Sequence, residues 1–418
     1  MSQTAATGRP ALNERTLLMT LAAIQFTHIL DFMIMMPLGA GLMRVFNITP
    51  GQFSLLVASY GFAAAVTGFL GGFVLDRFDR KNALLTLYIG FGCSTLACAL
   101  APTYGFLMAA RLAAGAFGGV AGSLVTATVG DAIPPERRGR AMGMVMTAFP
   151  LASVMGVPVG LTLATWFEWH APFFLLAGLS AIVFVIALRV LPHVASHRSD
   201  VHPLRQMFEI LTHRVHVRGF LLSALLVFAG ASIIPFMAPS MVANVGLRES
   251  QLPLIYFFGG ACTFFTTPWI GRLTDRHDKF HVLAWITSVA VIAGLIVTQL
   301  KITPLPLTLV VTTLFFIAMS GRFAPAMAMV TNAVEARYRG GFMSVNSALQ
   351  QASGGLANVV AGLLIHRDAA GHLLGYPLAG YVATAAFGLT VALAAWLRAA
   401  APHAARNPRP APPAEPAM

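Results

Sequence analysis

Charge is what this sequence has least of: Asp, Glu, Lys and Arg together make up 10% of its 418 residues, against about 25% in soluble domains. A water-facing globular fold is excluded by that scarcity. Cysteine is nearly absent as well. The three thiols, Cys93, Cys98 and Cys262, all fall inside apolar stretches, so they read as small buried hydrophobes, and neither a disulfide framework nor a thiolate metal site is expected. No nucleophile–base pair and no metal-ligating cluster stands out along the chain, so an enzyme is not expected, nor any metal or cofactor. Acids are outnumbered, 15 against 27 Lys and Arg, for a net charge of +12.

What the chain has instead is apolar length, with 57% of its residues hydrophobic. Twelve stretches long enough to cross a bilayer can be read at 17–43, 53–75, 83–101, 104–131, 141–166, 171–191, 218–241, 253–273, 281–299, 305–333, 342–365 and 376–398. The fold expected is an all-α membrane protein of twelve transmembrane helices in two six-helix bundles. The first stretch is too long for the apolar core of a signal peptide and no small-residue cleavage site follows it, so it is expected to remain. The divisions expected are a cytoplasmic segment 1–16, a six-helix bundle 17–191, a cytoplasmic linker 192–217, a second bundle 218–398 and a disordered tail 399–418 rich in Pro and Ala.

A net charge of +12 could point to nucleic acid, but its distribution points to a bilayer. Of the 27 Lys and Arg, 21 fall on the side of the termini and four (Arg44, Arg248, Lys301, Arg367) on the other, with Arg111 and Arg322 inside spans. The positive-inside rule then puts both termini in the cytoplasm. The linker carries Arg198, Arg205 and Arg214 with His193, His197, His202, His213 and His216. It reads as a solvated basic segment beside anionic lipid, with a short surface helix near residues 203–212; a metal-binding or pH-sensing His cluster is the other reading.

One charged signature occurs twice. Gly72, Asp76, Arg77, Asp79, Arg80 and Lys81 lie between the second and third stretches; Gly271, Asp275, Arg276, Asp278 and Lys279 lie between the eighth and ninth. A signature recurring at the same place in each half means two copies of one bundle, the build of a secondary transporter. The first copy, with Arg111-Leu112-Ala113-Ala114-Gly115 in the fourth stretch and Gly156-Val157-Pro158-Val159-Gly160 in the fifth, resembles the motifs of the major facilitator superfamily. Residues 28–38 around Asp31, and Asp131 with the Pro134–Ala141 run, are similar to its twelve-span drug:proton antiporter branch, including sugar-efflux and arabinose-efflux-like members. The fifth-span motif (Gly156, Pro158, Gly160) departs from the antiporter pattern, because Val157 separates Gly156 from Pro158.

Only Asp31, of the fifteen acids, lies well inside a stretch. A charge there costs at least about 2.5–3.5 kcal/mol on insertion scales, so it needs a partner or a water-filled cavity. At 1.5 Å per residue Asp31 lies roughly 9 Å from the outer face of a ~30 Å core. Arg111 enters from that face to a similar depth and can meet Asp31 if spans 1 and 4 are adjacent, as the resemblance implies. His28 shares the helical face of Asp31 and stands as a second titratable group or as a hydrogen-bonded bundle residue. Asp31, Arg111 and His28 are therefore the candidates for proton coupling. Arg322, Gln25, Thr27, Asn346, Gln350 and Gln351 are the candidates for substrate contact. Gly72, Asp76, Arg77, Arg80, Asp131, Gly271, Asp275 and Arg276 are candidates for gating: Asp76 at the start of span 11 near 339–342, Asp275 at span 5 near 139–141, and Arg77 paired with Asp131.

The sequence thus points to a secondary transporter in a bacterial cytoplasmic membrane, working as a monomer with protons, a small-molecule substrate and the lipid bilayer as partners and without nucleic acid. The reading is proton-coupled efflux of a small amphipathic drug or sugar-like metabolite. The alternatives are uptake of an organic anion by a symporter or facilitator and, more remotely, a non-transporting receptor. External thiol labelling should reach a cysteine introduced within 246–251 and miss one within 193–201; the reverse pattern would invert the orientation and with it the direction of coupling.

Overall fold

Helices dominate because backbone N–H and C=O groups in hydrocarbon have no water to bond and must satisfy one another within each segment. The computed structural model describes residues 14–74, 78–192 and 203–405. Its long segments are α1 (Glu14–Ile34), α2 (Pro50–Val74), α3 (Arg80–Ala99), α4 (Tyr104–Ala132), α5 (Glu136–Phe167), α6 (Ala171–Val190), α7 (Arg214–Ala243), α8 (Leu252–Arg276), α9 (Lys279–Gln299), α10 (Leu305–Asn332), α11 (Arg339–Leu364) and α12 (Tyr376–Ala400). Ten of them are long and apolar enough to cross a membrane. The other two, α8 and α11, have 25 and 26 residues, long enough to span, and pack against that set. A two-stranded hairpin, β1 (His366–Arg367) with β2 (Leu373–Leu374), joins α11 to α12.

Local chemistry sets where the helices start and bend. In both copies of the repeated signature the second acid caps the following helix: Asp79 accepts the Asn82 N–H at the start of α3, and Asp278 accepts the Phe280 N–H at the start of α9. A π-helical turn at Ala152–Gly156 interrupts α5 just before Pro158, whose missing N–H removes one intrahelical bond. Two more breaks fall in α7, between pieces Arg214–Ala231 and Ile234–Ala243, and in α10, at Arg322 between Leu305–Gly321 and Phe323–Asn332. Each precedes a proline, Pro235 and Pro325.

The hydrophobic core is divided unequally along the membrane normal. At the end away from the termini one cluster joins residues from both halves, including Leu42, Phe53, Phe236, Met241, Tyr256 and Tyr376. Toward the termini the core is split into separate clusters. One holds Leu17, Leu84 and Ala187; another holds Ile210, Phe220, Phe342 and Leu397, with Phe69 of α2 reaching it; a small third holds Ile270, Val282 and Ile286. The halves meet along α2 and α11, where a Cβ on Gly61 would stand 3.0 Å from the Gln351 carbonyl oxygen, and along α5 and α8, where Gly260 lies against the Ser153 backbone. Outside the spans, Arg44 grips Glu249 across the halves through two hydrogen bonds of 2.8 and 3.3 Å.

Two expected boundaries move. The linker ends earlier than residue 217, because α7 begins at Arg214; His193, His197 and His202 lie outside the described residues. The expected surface helix is present at Pro203–Thr212. The tail is ordered at its start: Pro402–Ala405 is helical, with Ala404 and Ala405 fully buried, since methyl side chains fit closely against α10 and α12. The remainder, 406–418, lies outside the described residues.

Close backbone approach holds bundles together in lipid, and its sharpest case is Gly115 of α4, where a Cβ would fall on the Tyr60 carbonyl of α2. Gly115→Ala should cost on the order of 1–3 kcal/mol and lower the unfolding temperature of the detergent-purified protein. Gly130→Ala, on the same helix with nothing within 4 Å, should leave it nearly unchanged; equal effects would remove the packing argument.

Candidate functional site

Five helices of the first half converge on one ion pair. Asp31 of α1 and Arg111 of α4 are both completely buried, with Arg111 Nη1 donating to Asp31 Oδ2 at 2.6 Å and to the Asp31 carbonyl at 3.3 Å. Thr95 of α3 donates to Asp31 Oδ1 at 3.3 Å. The Arg111 guanidinium carbon lies 4.6 Å above the Tyr60 ring of α2, where the negative face of the ring favours a desolvated cation. Helix α5 completes the enclosure: Gly156 and Gly160 pack on Leu30 and Ile34, which flank Asp31 on its helix. The fifth-span motif therefore presses on the helix that carries the buried acid.

Polar groups around the pair are only partly satisfied. His28 Nδ1 is 3.3 Å from the Tyr60 hydroxyl, and its Nε2 faces Gly122, where a Cβ would stand 2.8 Å away. Gln25 Oε1 is buried without a hydrogen-bond partner, as are Nε and Nη2 of Arg111. Thr27 is fully occupied elsewhere. Its hydroxyl meets Tyr88 of α3 at 3.0 Å and its own helix at the Ile24 carbonyl, so it points between α1 and α3 and takes no part in the group around Asp31.

In the second half the expected residues are more dispersed. Asn346 and Gln350 share a face of α11; Asn346 Oδ1 is buried without a partner, and Gln350 Nε2 lies 3.5 Å from Met327 Sδ. Gln351 enters through its backbone, which Gly61 approaches. Arg322 is 1% exposed, and no carboxylate lies within ion-pair distance of it among the described residues.

The gating residues also redistribute. Asp76 and Arg77 lie outside the described residues, and Gly72 ends among the last residues of α2. Asp131 is held by Arg80, Nε to Oδ2 at 2.9 Å, where the sequence reading pairs it with Arg77. Asp275 and Arg276 are exposed at the end of α8, and a Cβ on Gly139 would meet nothing within 4 Å. No contact of Asp275 with the start of α5 is present among the described residues. Gly271 has open space beside it. Sequence reasoning missed Tyr60, Tyr88 and Thr95. Their signal is a hydroxyl within an otherwise apolar stretch.

Comparison with known proteins gives a consistent result. The family model of the Major Facilitator Superfamily matches residues 21–316 and 219–417. An uncharacterized MFS-type transporter of Bacillus subtilis (strain 168), YceJ, is 25% identical over 82% of this chain and 87% of its own length. A chloramphenicol resistance protein of Streptomyces lividans is 24% identical over 55% of this chain and 59% of its own, so the match spans less than two thirds of that relative. Among solved structures, a bacterial homolog of the human lysosomal transporter Spinster in an inward-facing, unoccupied conformation superposes with a TM-score of 0.74 at 16% identity, covering 96% of this chain and all of the other.

Removing one partner of a buried pair strands the other charge and costs about 3–5 kcal/mol, whereas removing both does not. Arg111→Gln alone should therefore destabilise the detergent-purified protein strongly, and Asp31→Asn added to it should restore part of the loss. Additive losses in chemical denaturation would mean that the two groups do not act as a pair.

Proposed function

The chain belongs to the Major Facilitator Superfamily, and from that premise we propose that it exports a small amphipathic molecule in exchange for protons. The observation that carries this reading is the fully buried Asp31–Arg111 pair at 2.6 Å. A proton on Asp31 removes the charge that holds Arg111 and leaves the guanidinium to find other acceptors. Protonation and helix placement are thereby linked through one carboxylate. His28, hydrogen-bonded to the Tyr60 hydroxyl beside Arg111, is the group through which a proton reaches the pair. Gln25, Asn346 and Gln350 offer polar atoms on helices of both halves for a solute between them. Efflux as the direction, and an amphipathic drug as the cargo, are supported by the relative named as a chloramphenicol resistance protein.

The transport cycle follows from the divided core. With both termini in the cytoplasm, the shared cluster lies on the outer side and the separate clusters on the inner side, so this arrangement is closed outward. Rocking of the halves about α2–α11 and α5–α8 would open the outer side after releasing the exposed Arg44–Glu249 clasp, which holds by about 0.2–1 kcal/mol. On the inner side Asp76 at the start of α11 and Asp275 at the start of α5 would then close the halves, each as a carboxylate at a helix N-terminus.

Proteoliposomes with an imposed pH gradient test the reading, screened against chloramphenicol, other amphipathic drugs and arabinose. Substrate should accumulate in the acidic compartment, the one that protons leave. Accumulation in the alkaline compartment would make the protein a symporter. Asp31→Asn should lower uphill transport by at least about 100-fold and flatten its pH dependence, measured on the folded fraction that remains after stranding Arg111. Wild-type accumulation by that variant would make Asp31 structural and end the coupling mechanism.

A further inference from the structure

Arg322 is the one intramembrane charge that the coupling mechanism leaves unused. Its guanidinium is 1% exposed; Nη2 donates to Met319 Sδ at 3.0 Å, the carbon lies 4.5 Å over the Phe387 ring of α12, and Nε and Nη1 have no hydrogen-bond partner. A thioether is a weak acceptor and a ring face no acceptor for the two free N–H groups. A structural arginine would bond its N–H groups to carbonyl oxygens, and here none does. Arg111, at a different depth on α4, has Asp31; Arg322 has no acid within ion-pair distance among the described residues. Leaving a buried guanidinium uncompensated costs several kcal/mol, so the compensating charge comes from outside the chain.

The backbone around Arg322 adds to the same field. Both breaks in the second half meet there: a Cβ on Gly230, at the end of the first piece of α7, would lie 3.5 Å from Arg322 Nη2 and 3.8 Å from Ile234. Ile234 opens the ten-residue second piece of α7, and Phe323 opens the ten-residue second piece of α10. Neither piece has a side chain capping its first turn. Two helix N-termini with a guanidinium between them form a positive focus. Interrupted helices placed this way in transporters present their positive ends to anionic groups. The Arg fork matches a carboxylate in two parallel hydrogen bonds.

We propose that Arg322 is the counter-charge for an anionic group, a carboxylate or similar oxyanion, on the transported molecule, bound where the breaks of α7 and α10 meet. The inference rests on the exporter reading for the claim that the anion is cargo. Two arginines against one aspartate leave the empty bundle with one uncompensated positive charge, and an anionic cargo cancels it for the passage across the bilayer. Amphipathic molecules with a single acid group are therefore the class of substrate.

Binding to the intact detergent-purified protein, with no pH gradient, tests this apart from export. The probes are three pairs matched in shape, benzoate with benzamide, naphthalene-2-carboxylate with its carboxamide, and octanoate with octanamide, read by ligand-induced shift of the unfolding temperature and by calorimetry. At least one carboxylate should bind about tenfold or more tightly than its amide, and Arg322→Gln should abolish that preference while Arg322→Lys keeps part of it. If Arg322→Gln does not fold, the carboxylate-to-amide ratio on the unmodified protein and on Arg322→Lys decides. No preference in any pair, or a preference that survives Arg322→Gln, overturns the proposal. Sodium chloride alone giving the same Arg322-dependent shift, with no carboxylate exceeding its amide, shows a halide site and overturns the cargo assignment. An intact preference with failed proton exchange would leave the anion site standing and refute the exporter reading alone.

Discussion

A carboxylate and a guanidinium with no exposure to solvent can coexist in a membrane interior only if each is the other's partner, and the first half of this transporter is assembled around that requirement. Asp31 comes from α1 and Arg111 from α4, while α3 supplies the Thr95 hydroxyl, α2 the Tyr60 ring, and α5 the glycines that let it press on Leu30 and Ile34. Five helices are thereby fixed relative to one another by a contact whose strength depends on a proton. Loss of that charge changes what holds the five together, which gives a single titration leverage over a bundle.

Glycine and proline serve the same end by different means. Glycine lets backbones touch, as at Gly115 against Tyr60 and Gly61 against Gln351, so the bundle packs without a hydrophobic driving force between helices. Proline interrupts, and the breaks in α5, α7 and α10 lie where motion or unsatisfied backbone groups are useful. The two halves use their breaks differently. In the first, α5 closes over an ion pair that is already neutral. In the second, the α7 and α10 breaks frame an arginine that has no acid.

The asymmetry of the core gives the cycle its geometry. One cluster spans both halves at one end, and separate clusters occupy the other. Two rigid bodies joined at one end and separable at the other have a rocking motion built in, and small changes at a contact between them shift its balance. The Arg44–Glu249 clasp is exposed and therefore weak, a strength that suits the proposed opening of that side.

Much of this was legible in the residue order. Long apolar runs determined twelve helical segments, because hydrocarbon admits few other structures, and the repeated Asp76–Lys81 and Asp275–Lys279 signatures revealed the duplication. A lone acid in a span had to find a partner, and helix-rise arithmetic brought Arg111 to the depth of Asp31. Thr27, counted as a cavity residue by composition, bonds Tyr88, because which face of α1 meets α3 depends on packing across the bundle. Asp131 takes Arg80, and Asp275 stands alone in this arrangement, because contacts between loops depend on how far the halves are rocked. Tyr60, Thr95 and the meeting of two helix breaks at Arg322 arise from neighbours distant in the chain. The sequence by itself determined which groups must be satisfied in lipid; only the tertiary structure decided which partner satisfies each, since partner choice is a matter of distance between helices that the local chain does not encode.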